Sequence, residues 1–131
     1  REARAGKGWE YVEKWTPQLK VETRRGFVQV PMLVGNRPQA KLSLDFKGKA
    51  VGIFGVFGPS AGILEYSVDG APFKKLDTYT YWSGGIYLPW VYMLENELEE
   101  GNHRLVIRIS KDKNKNSSGY ECCIRNFVVN K

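Results

Sequence analysis

Apolar and polar residues alternate with a period of two along much of this chain, the mark of strands with one buried and one wet face. Leu42, Leu44 and Phe46 alternate with Lys41, Ser43, Asp45 and Lys47, and Leu105, Ile107 and Ile109 with Arg104, Arg108 and Ser110. Trp9, Tyr11 and Trp15, set against Glu10 and Lys14, predict a first strand that stops at Thr16-Pro17. After a turn at Thr23-Arg24-Arg25-Gly26, Phe27 to Val34 reads as a strand kinked at Pro31. Ala50 to Phe57 is almost continuously apolar, with Gly52 and Gly55 inside, and predicts a central strand covered on both faces. Ile63 to Val68 leads into Asp69-Gly70, a tight hairpin signal that returns the chain through Phe73 to Leu76. Trp90 to Leu94 is predicted extended, Glu95 to Glu100 a loop or single turn closing at Gly101-Asn102, and Glu121 to Val129 a last strand interrupted by Arg125 and Asn126. The expectation is an all-β fold: a two-sheet antiparallel β-sandwich, jelly-roll-like, of about eight or nine strands. Residues 1–8 are expected to form a flexible N-terminal segment, and residues 9–131 a single domain.

Composition adjusts this picture in a few places. With 131 residues, of which 42% are hydrophobic, one domain can build its core without a disulfide or metal. The formal charge of +6 invites a nucleic-acid partner, but the Lys and Arg residues are spread from Arg1 to Lys131, and none is expected. The densest basic cluster is Lys111, Lys113 and Lys115, interleaved with Asn114 and followed by Asn116, Ser117, Ser118 and Gly119. It reads either as a solvated hairpin tip or as a contact for an acidic ligand. Cys122 and Cys123 are neighbours that a strand directs to opposite faces, so two free thiols are expected, one of them buried. His103 is the one histidine, at the start of a strand, which leaves no zinc-ligand spacing, no cofactor motif and no imidazole placed for a nucleophilic triad. It is expected to shield a sheet edge or bond to backbone. The opening Arg1 to Gly8 has no apolar stretch behind its charges, and no run in the chain is apolar enough for a membrane helix. An excised piece or processed product of a larger parent is the expectation.

Function is most legible between Asp77 and Tyr92. Six large aromatic residues, Tyr79, Tyr81, Trp82, Tyr87, Trp90 and Tyr92, fall within fourteen positions around Gly84-Gly85 and Leu88-Pro89. So many rings exceed what a core of this size takes from one loop. Flat apolar faces with polar edges suit stacking on a sugar ring or docking on another domain. Trp82, beside Ser83-Gly84-Gly85, is the ring best placed for exposure; Tyr79 and Tyr81 are divided between a sheet face and the loop, and Trp90 between core and surface. Tyr87 is added to the candidate contacts. Asp77 is the acid placed either to bond a ligand hydroxyl or to cap an Asx-type turn. Lys111, Lys113 and Asn114 are the polar candidates from a second loop.

From Gly26 to Val129 the chain resembles the β-sandwich module at the C-terminal end of bacterial SGNH/GDSL-type hydrolases, esterases of decorated carbohydrates. The resemblance rests on Gly26-Phe27-Val28-Gln29-Val30-Pro31-Met32-Leu33-Val34-Gly35, Gly52-Ile53-Phe54, Gly58-Pro59-Ser60-Ala61-Gly62 and Glu65-Tyr66-Ser67-Val68-Asp69-Gly70. It continues through Leu76-Asp77, Tyr81-Trp82-Ser83, Leu88-Pro89, Gly101-Asn102-His103, Arg108-Ile109-Ser110-Lys111 and Cys123-Ile124-Arg125-Asn126-Phe127. It implies a noncatalytic accessory domain, acting outside the cytoplasm with a parent esterase whose Ser-Asp-His chemistry lies in a separate domain. No binding residue is carried over from it. Two roles fit the aromatic segment: capture of a polysaccharide or glycan, or packing on the parent catalytic domain so as to frame its active site.

Overall fold

In the computed structural model, which describes residues 3–16, 22–23 and 31–130, the chain forms eleven strands and two facing sheets. They are β1 (Arg4–Ala5), β2 (Trp9–Val12), β3 (Glu22–Thr23), β4 (Met32–Gly35), β5 (Lys41–Lys47) and β6 (Ala50–Phe57). They continue as β7 (Ile63–Val68), β8 (Lys74–Asp77), β9 (Ile86–Glu95), β10 (Asn102–Ile109) and β11 (Cys122–Asn130). One sheet runs β1-β5-β10-β7-β8 and the other β2-β4-β11-β6-β9-β3. Sequence neighbours such as β5 and β6, or β9 and β10, lie in opposite sheets, so the chain crosses the sandwich repeatedly. The expected architecture holds, with more strands than the eight or nine expected; β1 and β3 have two residues each, below what alternation can reveal. All described strand pairings are antiparallel except β3 with β9, and an isolated bridge between Ala61 and Glu121 is also parallel.

Several local expectations change. Arg4 and Ala5, expected in a flexible segment, pair with Ser43 and Leu42 of β5. Trp15 lies beyond β2 and does not share the side of Trp9: Trp9 joins the inter-sheet core, whereas Trp15 packs with Met32, Val56, Tyr87 and Cys123. Of the strand expected from Phe27, the described part begins at Met32; residues 24–30, with most of the turn placed before them, lie outside the described residues. β9 begins at Ile86 rather than Trp90, so Ile86 to Pro89 belong to a strand and the aromatic loop is shorter than the sequence implies.

The inter-sheet core is built from the alternating sides already read from sequence, including Leu42, Leu44, Phe46, Leu105, Ile107 and Ile109. β6 is central and buried along nearly its whole length, paired with β11 on one side and β9 on the other. Asp69 and Gly70 both adopt positive φ, at 56° and 79°, and Ala71 N donates to the Val68 carbonyl at 3.2 Å, so the predicted tight turn forms, although the ladder of β7 with β8 closes only at Tyr66 and Lys74. Cys122 and Cys123 face opposite sides of β11 as expected, but both are buried, and burial pushes both thiols up, so they stay protonated.

His103 stands at the end of the sandwich beside Phe46, with ring centroids 5.4 Å apart. Its Nδ1 lies 2.6 Å from Asp69 Oδ2 and its Nε2 2.6 Å from the Glu99 carbonyl. Both neighbours are acceptors, so only the doubly protonated ring satisfies both, and the Asp69 carboxylate followed by the Glu99 carbonyl raises the pKa of His103. The same imidazolium, with the Arg104 backbone N–H, lowers that of Asp69. A raised folded-state pKa contributes stability that is complete below the unfolded value of about 6.5 and is lost as pH rises through the folded value. We therefore expect the melting temperature to fall from pH 6 toward pH 9, and the gap between the native chain and His103→Gln to narrow over that range. A gap that stays constant with pH in circular-dichroism melts would show that the ring is not held charged.

Candidate functional site

β8 ends at Asp77, β9 starts at Ile86, and residues 78–85 carry the chain between the sheets. The base of this connection is fixed. Thr78 is fully buried and donates from Oγ1 to the Gly62 carbonyl at 2.6 Å. The tip is a tight turn: Ser83 N donates to the Thr80 carbonyl (3.0 Å) and Thr80 N donates to the buried Ser83 Oγ (2.8 Å). With Thr80 and Ser83 closing the turn, the two residues between them are pushed outward. Tyr81 is 89% exposed and Trp82 64%, and their rings meet edge to face with centroids 5.0 Å apart.

The other candidates divide. Tyr79 is half-buried against the core, its hydroxyl so near Gly84 that a Cβ there would come within 3.0 Å. Trp90 lies in register with Gly55, on the side of β9 shared with Tyr92, and is 52% exposed, so of its two expected settings it takes the surface one. Tyr87 is a correction: it has no solvent exposure and packs edge to face on Trp15, centroids 5.4 Å apart, so it is not available to a ligand. The reason is that the aromatic connection ends at Gly85, and Tyr87, already inside β9, faces the second, smaller core cluster.

Asp77 does cap an Asx turn, accepting from Tyr79 N at 3.0 Å, and its other oxygen accepts from Asn114 Nδ2 at 2.8 Å. The structure thus brings Asp77 and Asn114 together and ties the aromatic connection to the lysine-bearing loop. Tyr92, absent from the sequence-based candidates, joins this group: burial and then the Asp77 charge push its phenol up, keeping it a hydrogen-bond donor. Lys111 and Lys113 are exposed, and Lys113 Nζ donates to the Ser117 carbonyl at 2.9 Å.

Clefts of about 520, 570 and 690 Å³ open elsewhere, beside Trp9 and Arg37, beside Asp69 and His103, and beside Tyr11 and Arg125. None of these three is lined by the aromatic segment, whose rings stand as a raised platform. Among the described residues no group of three or more His, Cys, Asp or Glu is arranged to hold a metal, and no helix is long and apolar enough to cross a membrane.

The sequence matches no protein-family profile and no curated protein. Solved structures do match. The chain superposes over its full length on 34% of a two-domain esterase active on acetylated mannans, co-crystallized with mannopentaose, with a TM-score of 0.65 and 15% identity. Over 74% of its length it matches 26% of a family two carbohydrate esterase from Clostridium thermocellum in complex with cellohexaose, with a TM-score of 0.54 and 20% identity. It also covers 93% of the CBM36-1 domain of a multidomain xylanase from the hindgut metagenome of Trinervitermes trinervoides, with a TM-score of 0.50 and 11% identity. The chain spans about a third of the two-domain esterase it matches. At these identities the likeness establishes the fold, a β-sandwich that, as expected, is shared with a part of carbohydrate esterases.

Proposed function

We propose that this chain is a noncatalytic carbohydrate-binding module that positions polysaccharide for a parent esterase of the SGNH/GDSL type acting outside the cytoplasm. The observation that carries the reading is the turn at Thr80–Ser83, which lifts Tyr81 and Trp82 into solvent when nearby rings are sealed or half-sealed. A fixed, exposed indole offers a flat face for a sugar ring, and Trp90, Asp77 and Asn114 supply a further ring and hydroxyl partners. Support comes from the neighbours: two are carbohydrate esterases of which the chain matches only a part, and one is the CBM36-1 domain of a xylanase. Fold alone does not carry function, so the site must be tested directly. In affinity electrophoresis across neutral and acidic plant polysaccharides, the native chain is expected to be retarded by at least one, and Trp82→Ala to weaken that retention roughly 10- to 100-fold, the effect of losing a buried aromatic contact. Unchanged retention would remove Trp82 from the site.

A second reading is favoured by a different observation. The outward positions in register on β6, β9 and β11 include Phe54, Pro89, Val91, Met93 and Val128, beside the part of that face already covered by the Trp15 cluster, and none of these positions carries a charge. Val91 and Met93 are nearly half exposed there. The opposite sheet presents ion pairs outward: Arg104 with Asp45, Arg108 with Glu65, and Lys75 with Glu65 and Asp112. A dry sheet face of this kind suits packing against the parent catalytic domain. This second role is compatible with glycan capture at the loop.

A further inference from the structure

The segment from Lys111 to Lys115 does more than carry charge. Asp112 accepts from Lys75 Nζ at 3.1 Å, and Asn114 donates to Asp77 at 2.8 Å. Lys75 and Asp77 are two apart on β8 and so share one face of that strand. The loop therefore lies alongside the edge strand, with Asp112 and Asn114 anchored to β8. The intervening Lys111, Lys113 and Lys115 are left exposed. Among the described residues no carboxylate comes within ion-pair distance of any of the three, since the nearby acids are engaged: Asp112 with Lys75, and Asp77 with two amide donors. Asn114, between Lys113 and Lys115 in the chain, is held at Asp77, where the aromatic connection leaves β8.

From this geometry we infer that the polysaccharide is acidic: a glycan bearing carboxylate groups, stacked on Trp82 and Tyr81, with its carboxylates received by Lys111, Lys113 and Lys115. The inference rests on the glycan-binding reading above and names the class of substrate. A neutral chain would gain ordinary hydrogen bonds from these lysines, whereas a carboxylate gains charge-assisted ones of about twice the strength. The attraction between exposed charges is screened by salt, and stacking is not.

The test uses glucuronoxylan and polygalacturonate, each beside its carboxyl-reduced form, at low salt and at 0.5 M NaCl. At least one acidic polymer is expected to bind at least about tenfold tighter than its reduced form at low salt, with the advantage lost at high salt. Lys111→Gln with Lys113→Gln and Lys115→Gln should abolish the difference, bringing retention on the acidic polymer down to that on its reduced form. Because Lys113 also bonds to the Ser117 carbonyl, the double variant Lys111→Gln with Lys115→Gln, which spares that contact, is expected to remove most of it. Equal affinity for acidic and reduced forms, or lysine variants that bind as the native chain does, would overturn the inference while the glycan reading stands. Absence of retention on every polysaccharide overturns both. A single-stranded DNA oligomer that displaces the acidic glycan and binds more tightly would assign the lysines to a different polyanion and also overturn it.

Discussion

Tyr87→Ala is expected to destabilise the domain by about 3–5 kcal/mol, the range for truncating a fully buried aromatic side chain. Tyr87 lies at the start of β9 and fills the smaller cluster with Trp15, Met32, Val56 and Cys123. Its ring also covers Gly58, where a Cβ would come within 2.5 Å of it, so truncation leaves a void between β9 and the residues around Trp15 and Gly58. For a domain of this size the loss amounts to a fall in melting temperature of roughly 10–20 °C. The same variant separates structure from binding: the fraction that remains folded should retain glycan as the native chain does, because Tyr81 and Trp82 are on the far side of the turn. Urea titration followed by circular dichroism reads the first effect and affinity electrophoresis below the transition the second. A stable Tyr87→Ala that has lost glycan would restore the ligand role.

Gly55→Ala tests the central strand. A Cβ at Gly55 would sit 2.2 Å from the Cys123 carbonyl oxygen and 3.0 Å from the Phe57 ring. The carbonyl belongs to β11, paired with β6 at this point, and cannot retreat without disturbing that ladder next to the register shift between Ile124 and Asn126. Destabilisation of about 3 kcal/mol is expected, at the upper end of ordinary overpacking. Gly85→Ala is the matched control, since nothing lies within 4 Å of its Cβ and it should stay within about 0.5 kcal/mol of the native chain. Equal denaturation midpoints for the two variants would show that β6 and β11 approach less closely than described.

Where an element has one wet face, its residues spell it out, which is why β5 and β10 were legible from alternation and β6 from its unbroken apolar run. The Asp69-Gly70 turn was equally plain, because few residue pairs accept positive φ at both positions. What was hidden depended on partners distant in sequence. Trp15 looked like a continuation of the Trp9 face because spacing alone cannot report that β2 ends at Val12. Tyr87 and Trp82 look alike in a string of rings; what separates them is whether a neighbour such as Trp15 folds over the ring, a fact of tertiary packing. For the candidate site, from Asp77 to Trp90 with Asn114, the residues could be named from sequence but their arrangement could not. The bond from Asn114 to Asp77 spans 37 residues, and neither residue alone signals it.

The two bonds from the loop to β8 also set its length. Asp112 and Asn114 hold the segment that follows β10 against Lys75 and Asp77, so the stretch between the two anchors is matched to the spacing of their partners on the strand. Relatives of this chain that keep both bonds should therefore keep the number of residues between them.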